Sequence, residues 1–203
     1  MEQRSNEWFE QRAGRFTASE IYKLMGVKGL GLTGEDYAFQ KACEIVFGRN
    51  EDDNFMSFDM QRGVELEPIA FEKFKDINFY DVKNAVFFPF GESAGASPDG
   101  LVNDDSILEI KCPKPLKIFG LINGDEIDKN YLFQMQMQML CTNSVRCYFF
   151  NYGIYNGIEI YHEIIVERDE AVIEKIKERI IEATKLRDEY VVNLKKNIQF
   201  DLP

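Results

Sequence analysis

The order of hydrophobic periodicities along this 203-residue chain predicts an α/β protein, with a mixed sheet at its centre flanked by helices. Three observations carry that reading. Helical spacing dominates as far as Phe74, and short period-two runs follow as far as Lys111. A helix then precedes two strongly apolar strand patterns joined by Asn156-Gly157, a hairpin signal. A long charged helical pattern closes the chain from Asp169. The length suits one domain, 1–203, with a loose tail over about 197–203. No internal repeat divides it.

Ser5 is a helix N-cap by residue type and opens a short helix bearing Trp8 and Phe9. Thr17-Ala18-Ser19-Glu20 reads as a capping box for a second helix that runs toward Gly26. Val27 to Leu32 is glycine-rich and reads as a loop, after which Thr33-Gly34-Glu35-Asp36 opens a third helix that stops at Gly48. Glu51 to Asn54 is a polar break. From Ser57 to Phe74 an apolar stripe of Leu66, Ile69, Ala70, Phe71 and Phe74 predicts a helix. Ala85–Pro89, Ser93–Ser97, Leu101-Val102 and Ile107–Lys111 read as an antiparallel meander, and Leu132–Leu140 as a helix. Val145–Tyr152 and Ile158–Val166 are strands. The last helix, to about Lys195, carries Val172, Ile173, Ile176, Ile180 and Ala183 on one face.

Composition excludes some chemistries. The polar first residues lack the apolar core of a secretion signal and no run is long enough to span a membrane, so a cytoplasmic protein is expected. Four cysteines without a Cys-x-x-Cys pair, and a single histidine, disfavour structural zinc and an iron–sulfur cluster; buried free thiols are the default reading. His162 lies in a strand-like run and reads as structural. The net charge of −11 opposes nucleic-acid binding unless the charges are segregated onto separate faces.

The most informative stretch runs from Ser97-Pro98-Asp99-Gly100 to Glu109-Ile110-Lys111. Strand alternation puts Glu109 and Lys111 on one face and Leu108 and Ile110 on the other. Asn103-Asp104-Asp105-Ser106 is a turn by composition, and a hairpin there returns Asp99 to the Glu109 end of the next strand. Two carboxylates about 4 Å apart repel by about 4 kcal/mol at an intermediate dielectric, so a cation belongs between them, and oxygen donors suit Mg²⁺ or Mn²⁺. A Glu-x-Lys on a strand is ordinarily a solvated face; the ordered combination of acid, turn, apolar strand and Glu-x-Lys favours a site for phosphodiester cleavage.

Other residues carry weaker signals. Glu67, near an apolar helical stripe, needs a partner if buried. Gln134, Gln136 and Gln138 alternate with methionines; on a helix Gln134 and Gln138 share a face and Gln136 lies about 160° away. At least one of them reaching the site to hold a metal-bound water is one reading; composition alone favours the other, that all three are ordinary surface amides. Arg12 and Arg15 beside Thr17-Ala18-Ser19 resemble a phosphate site at a helix start, a signal that is weak alone.

Together these segments resemble the PD-(D/E)xK nuclease superfamily and, within it, the phage lambda exonuclease or YqaJ-type viral recombinase family. The motifs are Trp8-x-x-x-Arg12-x-Gly14 with Thr17-Ala18-Ser19, Gly63-x-x-x-Glu67-x-x-Ala70, Ser97-Pro98-Asp99-Gly100, Leu108-Glu109-Ile110-Lys111-Cys112-Pro113, Tyr131-x-x-Gln134-x-Gln136, Tyr148-Phe149-x-Asn151-Tyr152 and Glu167-Arg168-Asp169-Glu170. The resemblance implies a restriction-endonuclease-like core and a 5′→3′ exonuclease on duplex DNA ends, working in phage-type recombination by strand annealing. It implies two Mg²⁺ ions, replaceable by Mn²⁺, on Asp99, Glu109 and the Ile110 carbonyl, with Glu67 supporting the second. Lys111 would orient the attacking water or stabilise charge on the phosphate, and Gln136 would bind a water of the metal. Arg12, Ser19 and Ser97 would receive the terminal 5′-phosphate. A ring-shaped trimer, a single-strand annealing protein as partner, and a phage or prophage origin in a bacterial host also follow from the resemblance. Two rivals stand beside it: a restriction or repair endonuclease on the same core, and a non-cleaving DNA- or protein-binding module. The intact Asp99, Glu109 and Lys111 argue against the second.

Overall fold

The computed structural model describes residues 5–48 and 57–197. The polar break at 51–54, and all of the predicted tail beyond Asn197, lie outside the described residues. Helix α1 (Asn6–Arg12) starts as expected at Ser5, whose Oγ accepts from the Trp8 N–H at 3.2 Å. Strand β1 (Phe16–Thr17) leads into a seven-residue 3₁₀ helix, Ala18–Leu24, not the predicted α-helix. Thr17 makes no side-chain cap: its Oγ1 lies 3.4 Å from Ser19 Oγ, and its N–H, which Glu20 would accept in a capping box, donates to the Tyr37 hydroxyl at 3.1 Å. Helix α2 (Gly31–Phe47) begins two residues before the predicted start and ends at Gly48, where a φ of 82° suits glycine.

Helix α3 (Phe58–Asn78) is capped by Ser57 and runs a turn past Phe74. Ile77 continues the apolar stripe, and the chain turns only at Phe79, in the left-handed region. Ile69, predicted on the stripe, is instead half-exposed.

The predicted meander is divided between two sheets. Strands β2 (Val82–Asn84), β3 (Phe88–Phe90), β4 (Ala94–Ala96), β5 (Gly100–Val102) and β6 (Ser106–Lys111) follow in sequence. The order β1-β4-β3 makes a small sheet, and β2-β5-β6 opens a larger one. The chain switches sheets at Ser97-Pro98 because both edges of β4 are taken, by β1 in parallel (Phe16↔Ala94) and by β3. The edge of β5 pairs with β2, a strand sequence periodicity missed. Helix α4 (Pro115–Ile122), also missed, has proline in its first turn, where the absent N–H costs no helix bond. Helix α5 (Lys129–Thr142), β7 (Arg146–Tyr155), β8 (Ile158–Glu167) and α6 (Glu170–Asn197) complete the order, with Asn156 and Gly157 both at positive φ in the hairpin turn.

The larger sheet, β2-β5-β6-β7-β8, is mixed, with only β6 and β7 parallel. One face buries Leu108, Ile110, Tyr148, Phe150 and Tyr152 under Ala70 and Phe74 of α3. The opposite face buries Ile107, Cys147 and Phe149 under Met135 and Met139 of α5. The far side of α5, through Met137, packs on Phe16, Ile21, Leu24, Ile176 and Ile180. Helix α5 is thus enclosed on both sides, and every residue from Gln134 to Met139 is buried. That double burial is why its sequence lacks a clean amphipathic period. Among the described residues no helix is long and apolar enough to cross a membrane. The four cysteines are free thiols; only Cys147 is fully buried, and Cys43, Cys112 and Cys141 are half-buried.

Candidate active site

The β5–β6 hairpin does what its turn predicts. Gly100 pairs with Leu108, and the Asp99 N–H donates to the Leu108 carbonyl at 3.0 Å. Asp99 therefore stands beside the far end of β6, where its Oδ2 accepts from the Ile110 N–H at 2.6 Å. The N–H and C=O of one strand residue point to the same side, so the Ile110 carbonyl also faces the Asp99 side, beyond the last residue pair of β5.

Glu109 projects from the opposite face to Leu108 and Ile110, and is almost completely buried. Its Oε1 accepts from Gln134 Nε2 and its Oε2 from Gln138 Nε2, each at 2.6 Å, and Lys111 Nζ lies 2.6 Å from Oε1. Lys111 also sits over the Tyr131 ring, 4.9 Å from its centroid. Two α5 residues one helical turn apart thus grip both oxygens of one carboxylate.

Electrostatics follow from this crowding. Asp99 is pushed well above the usual carboxylate range, first by loss of solvent, then by the charges of Glu109 and Glu67, against the opposing Lys111 and the Ile110 N–H. Burial alone would lower Lys111, but Glu109 and Asp99 outweigh it, so its pKa is raised and the ammonium is held. Glu67, on α3, is near enough to act on both Asp99 and Cys112, and so borders the site from the sheet face opposite Gln134 and Gln138.

Among the described residues no three Asp, Glu, His or Cys side chains form a ready cation cage. The donor set nevertheless fits a hard divalent ion. Two carboxylates and a backbone carbonyl offer only oxygen, and Asp99 and Glu109 both face the Lys111 ammonium. Gln138 Oε1, buried at the same place, has no hydrogen-bond partner among the described residues.

A second cluster lies next to the first. Trp8 Nε1 donates to Ser97 Oγ at 3.0 Å, two residues before Asp99. The Arg12 guanidinium stacks on the Trp8 ring at 3.9 Å and reaches Ser19 Oγ at 3.5 Å. Arg12, Ser19 and Ser97, expected together, are brought together, and Trp8 links them. Arg15 is turned away, donating to the Gly91 carbonyl at 2.8 Å.

Gln136 is a correction. Its Nε2 donates to the Glu167 carbonyl at 2.9 Å, and its Oε1 accepts from the Asp169 N–H at 2.8 Å. Both ends of the amide tie α5 to the junction between β8 and α6, on the side away from Glu109. The expectation of a water-binding role came from the resemblance; helical geometry, which sets Gln136 about 160° from its neighbours, points to Gln134 and Gln138. Sequence reasoning named those two only as a shared face, and it gave Trp8 no role beyond its motif.

A mixed sheet flanked by helices, with Asp99 and Glu-x-Lys at a strand-pair end, defines a nuclease core of the PD-(D/E)xK type. The model of the YqaJ-like viral recombinase domain matches residues 7–144, and the chain belongs to that family. It is similar to an alkaline exonuclease, LHK-Exo, from Laribacter hongkongensis, with 30% identity, TM-score 0.84, and coverage of 95% of this chain and 97% of that one. A structure of LHK-Exo in complex with dAMP gives TM-score 0.81 at the same identity and coverage. A phage-related exonuclease from Haemophilus somnus 129PT shares the fold at 20% identity, TM-score 0.73, over 89% of this chain and 96% of that one. No curated protein matches the chain. The chain is a nuclease of the lambda exonuclease family, with DNA as its substrate.

Proposed function

We propose that this nuclease is a Mg²⁺-dependent 5′→3′ exonuclease that digests one strand of linear duplex DNA from 5′-phosphorylated ends and leaves 3′ single-stranded overhangs. The observation that carries the reading is the Trp8–Ser97 hydrogen bond. It joins Arg12 to the loop that carries Asp99, so a cationic hydroxyl-lined cluster sits beside a carboxylate centre. Arg12, Ser19 and Ser97 offer donors to a terminal phosphate, and a charge-assisted contact of that kind contributes about 1.5–3 kcal/mol. Anchoring the end fixes which phosphodiester reaches the carboxylates, one nucleotide inward.

Asp99, Glu109 and the Ile110 carbonyl hold one cation, and Glu67 supports a second; Mn²⁺ satisfies the same oxygen donors. When bound, such a pair of cations stabilises the attacking and leaving oxygens of an in-line displacement. Lys111 stays charged and stabilises the negative charge that develops on the phosphate. Gln134 and Gln138 keep Glu109 in one orientation throughout. The family resemblance supports the rest of the reading: a ring-shaped trimer around the duplex, a single-strand annealing protein as partner, and action in the cytoplasm of a bacterial host on behalf of a phage or prophage.

The test uses a linear duplex with one 5′-phosphate and one 5′-hydroxyl end, with Mg²⁺ and with chelator. Digestion is expected from the phosphorylated end, only with Mg²⁺, and not on a closed circular duplex. Cutting of the closed circle overturns the reading in favour of an endonuclease.

A further inference from the structure

We infer that Arg187 of α6, backed by Glu44 of α2, is a positioning residue that sets the spacing of the end-phosphate pocket; the inference rests on the 5′-phosphate reading above. Arg187 is remote in sequence from every motif of the site and lies outside the residues the family model matches. It is nonetheless buried, and each part of its guanidinium is engaged. Nη1 donates to the Gly14 carbonyl at 2.8 Å, Nη2 to Ser93 Oγ at 3.2 Å, and Nε to Asp188 at 2.9 Å.

Those two outer contacts fall at the bases of the two arms of the pocket. Gly14 lies between Arg12 and the strand that leads to Ser19. Ser93 opens the strand that leads to Ser97. The arms meet at their bases, where the Phe16 N–H donates to the Ser93 carbonyl at 2.8 Å. One planar fork therefore pins both arms at a fixed separation. A lysine, with a single ammonium, cannot reproduce that two-pronged geometry.

Gly14 is held from its other side as well. Its N–H donates to Glu44 Oε2 at 2.8 Å, and Glu44 Oε1 is paired with the buried Lys41 at 2.7 Å. Both backbone groups of one residue are thus gripped by charged side chains from two helices. Gly14 has φ +70°, and a Cβ there would stand 2.5 Å from Ile45 Cγ1, so the turn has only this one tightly packed form. A buried charge is a poor way to gain stability and is better suited to fixing one geometry. The geometry fixed here is the 3.5 Å approach of Arg12 to Ser19 and the link from Trp8 to Ser97.

The test compares initial digestion rates on duplexes with 5′-phosphate and 5′-hydroxyl ends, for wild type, Arg12→Ala, Arg187→Lys and Glu44→Ala. The ratio of the two rates is independent of the folded fraction, so a variant that only loses stability leaves it unchanged. Arg187→Lys is expected to lower the ratio about tenfold or more, since small misplacements cost that much, with Glu44→Ala moving it in the same direction. If wild type and Arg12→Ala differ in ratio but Arg187→Lys and Glu44→Ala keep the wild-type value, the phosphate pocket stands and the positioning role is overturned. If wild type itself shows equal rates, the pocket reading fails, and the inference falls with it.

Discussion

Replacing Gln138 by methionine tests which glutamine of α5 sets the geometry of the site. The substitution conserves volume and removes two polar atoms. One is the Nε2 donor, 2.6 Å from Glu109 Oε2, a hydrogen bond to a charged group that contributes about 1.5–3 kcal/mol. The other is Oε1, buried without a partner among the described residues, whose removal returns about 1–3 kcal/mol. Because Glu109 Oε2 stays buried and charged while losing this donor, the loss outweighs the gain, and stability is expected to fall by about 1–3 kcal/mol. The rate is not expected to be spared. Glu109 keeps only the Gln134 and Lys111 contacts, both on Oε1, and its other oxygen is released. A carboxylate misplaced by about 1 Å lowers turnover by up to about 10²-fold. Gln136→Met should spare the rate. It removes two part-buried hydrogen bonds, to the Glu167 carbonyl and from the Asp169 N–H, at a cost of about 1–3 kcal/mol, and leaves the rate per folded molecule near wild type. Urea denaturation and the initial rate of linear-duplex digestion at saturating Mg²⁺ decide the pair. A fully active Gln138→Met beside a folded but inactive Gln136→Met would refute the assignment and restore Gln136 to the centre.

Asp99→Asn keeps an acceptor for the Ile110 N–H, so it should fold, lose digestion, and gain stability in chelator because the repulsion from Glu109 and Glu67 is relieved; Mg²⁺ should raise the melting temperature of wild type and not of the variant, and equal shifts would place the ion elsewhere. Lys111→Ala should lower the single-turnover rate by roughly 10²–10³ and weaken DNA binding much less, whereas a proportional loss in both would make Lys111 a binding residue. The thiols of Cys112 and Cys141 are pushed up to about 12 by burial, and burial also pushes Cys147 well above the usual thiol range, so at pH 8 the cysteines of the native protein should react slowly with Ellman's reagent and all four on unfolding; a rapid native burst of four would contradict the packing.

The site was legible in sequence where local geometry dominates. Asp99, the turn and Glu-x-Lys lie within one hairpin, and strand alternation alone gives their mutual placement. Ser5, Gly48 and Asn156-Gly157 likewise mark their boundaries by backbone preferences that act within a few residues. What failed depended on partners distant in the chain. Whether β4 continues into β5 is decided by β1, some eighty residues earlier, which occupies its edge. Thr17 and Glu20 did not close a capping box because Tyr37 claims the Thr17 N–H that Glu20 would accept. Gln138 was undervalued because its partner, Glu109, is 29 positions away. No periodicity in a single segment reports such pairings.

Helix α5 shows how the two clusters are kept in register. An exonuclease that cuts one nucleotide from an anchored end needs the anchor and the reacting centre at a fixed separation, to about 1 Å. The Trp8–Ser97 bond is one such link, but it is a single neutral contact at 3.0 Å and half-buried. Helix α5 supplies a second and stiffer one. One side of it holds Glu109 through Gln134 and Gln138. The opposite side packs Met137 into the cluster of Phe16, Ala18 and Ile21, which flank Thr17 and Ser19. A displacement of either cluster is therefore resisted by a close-packed interior, whose cost rises steeply with any change in volume. Methionines between the glutamines suit this position, since unbranched side chains fill both interfaces of an enclosed helix without straining its backbone. The alternation of glutamine and methionine is thus the sequence signature of a helix that is buried on two sides and positions charge on one.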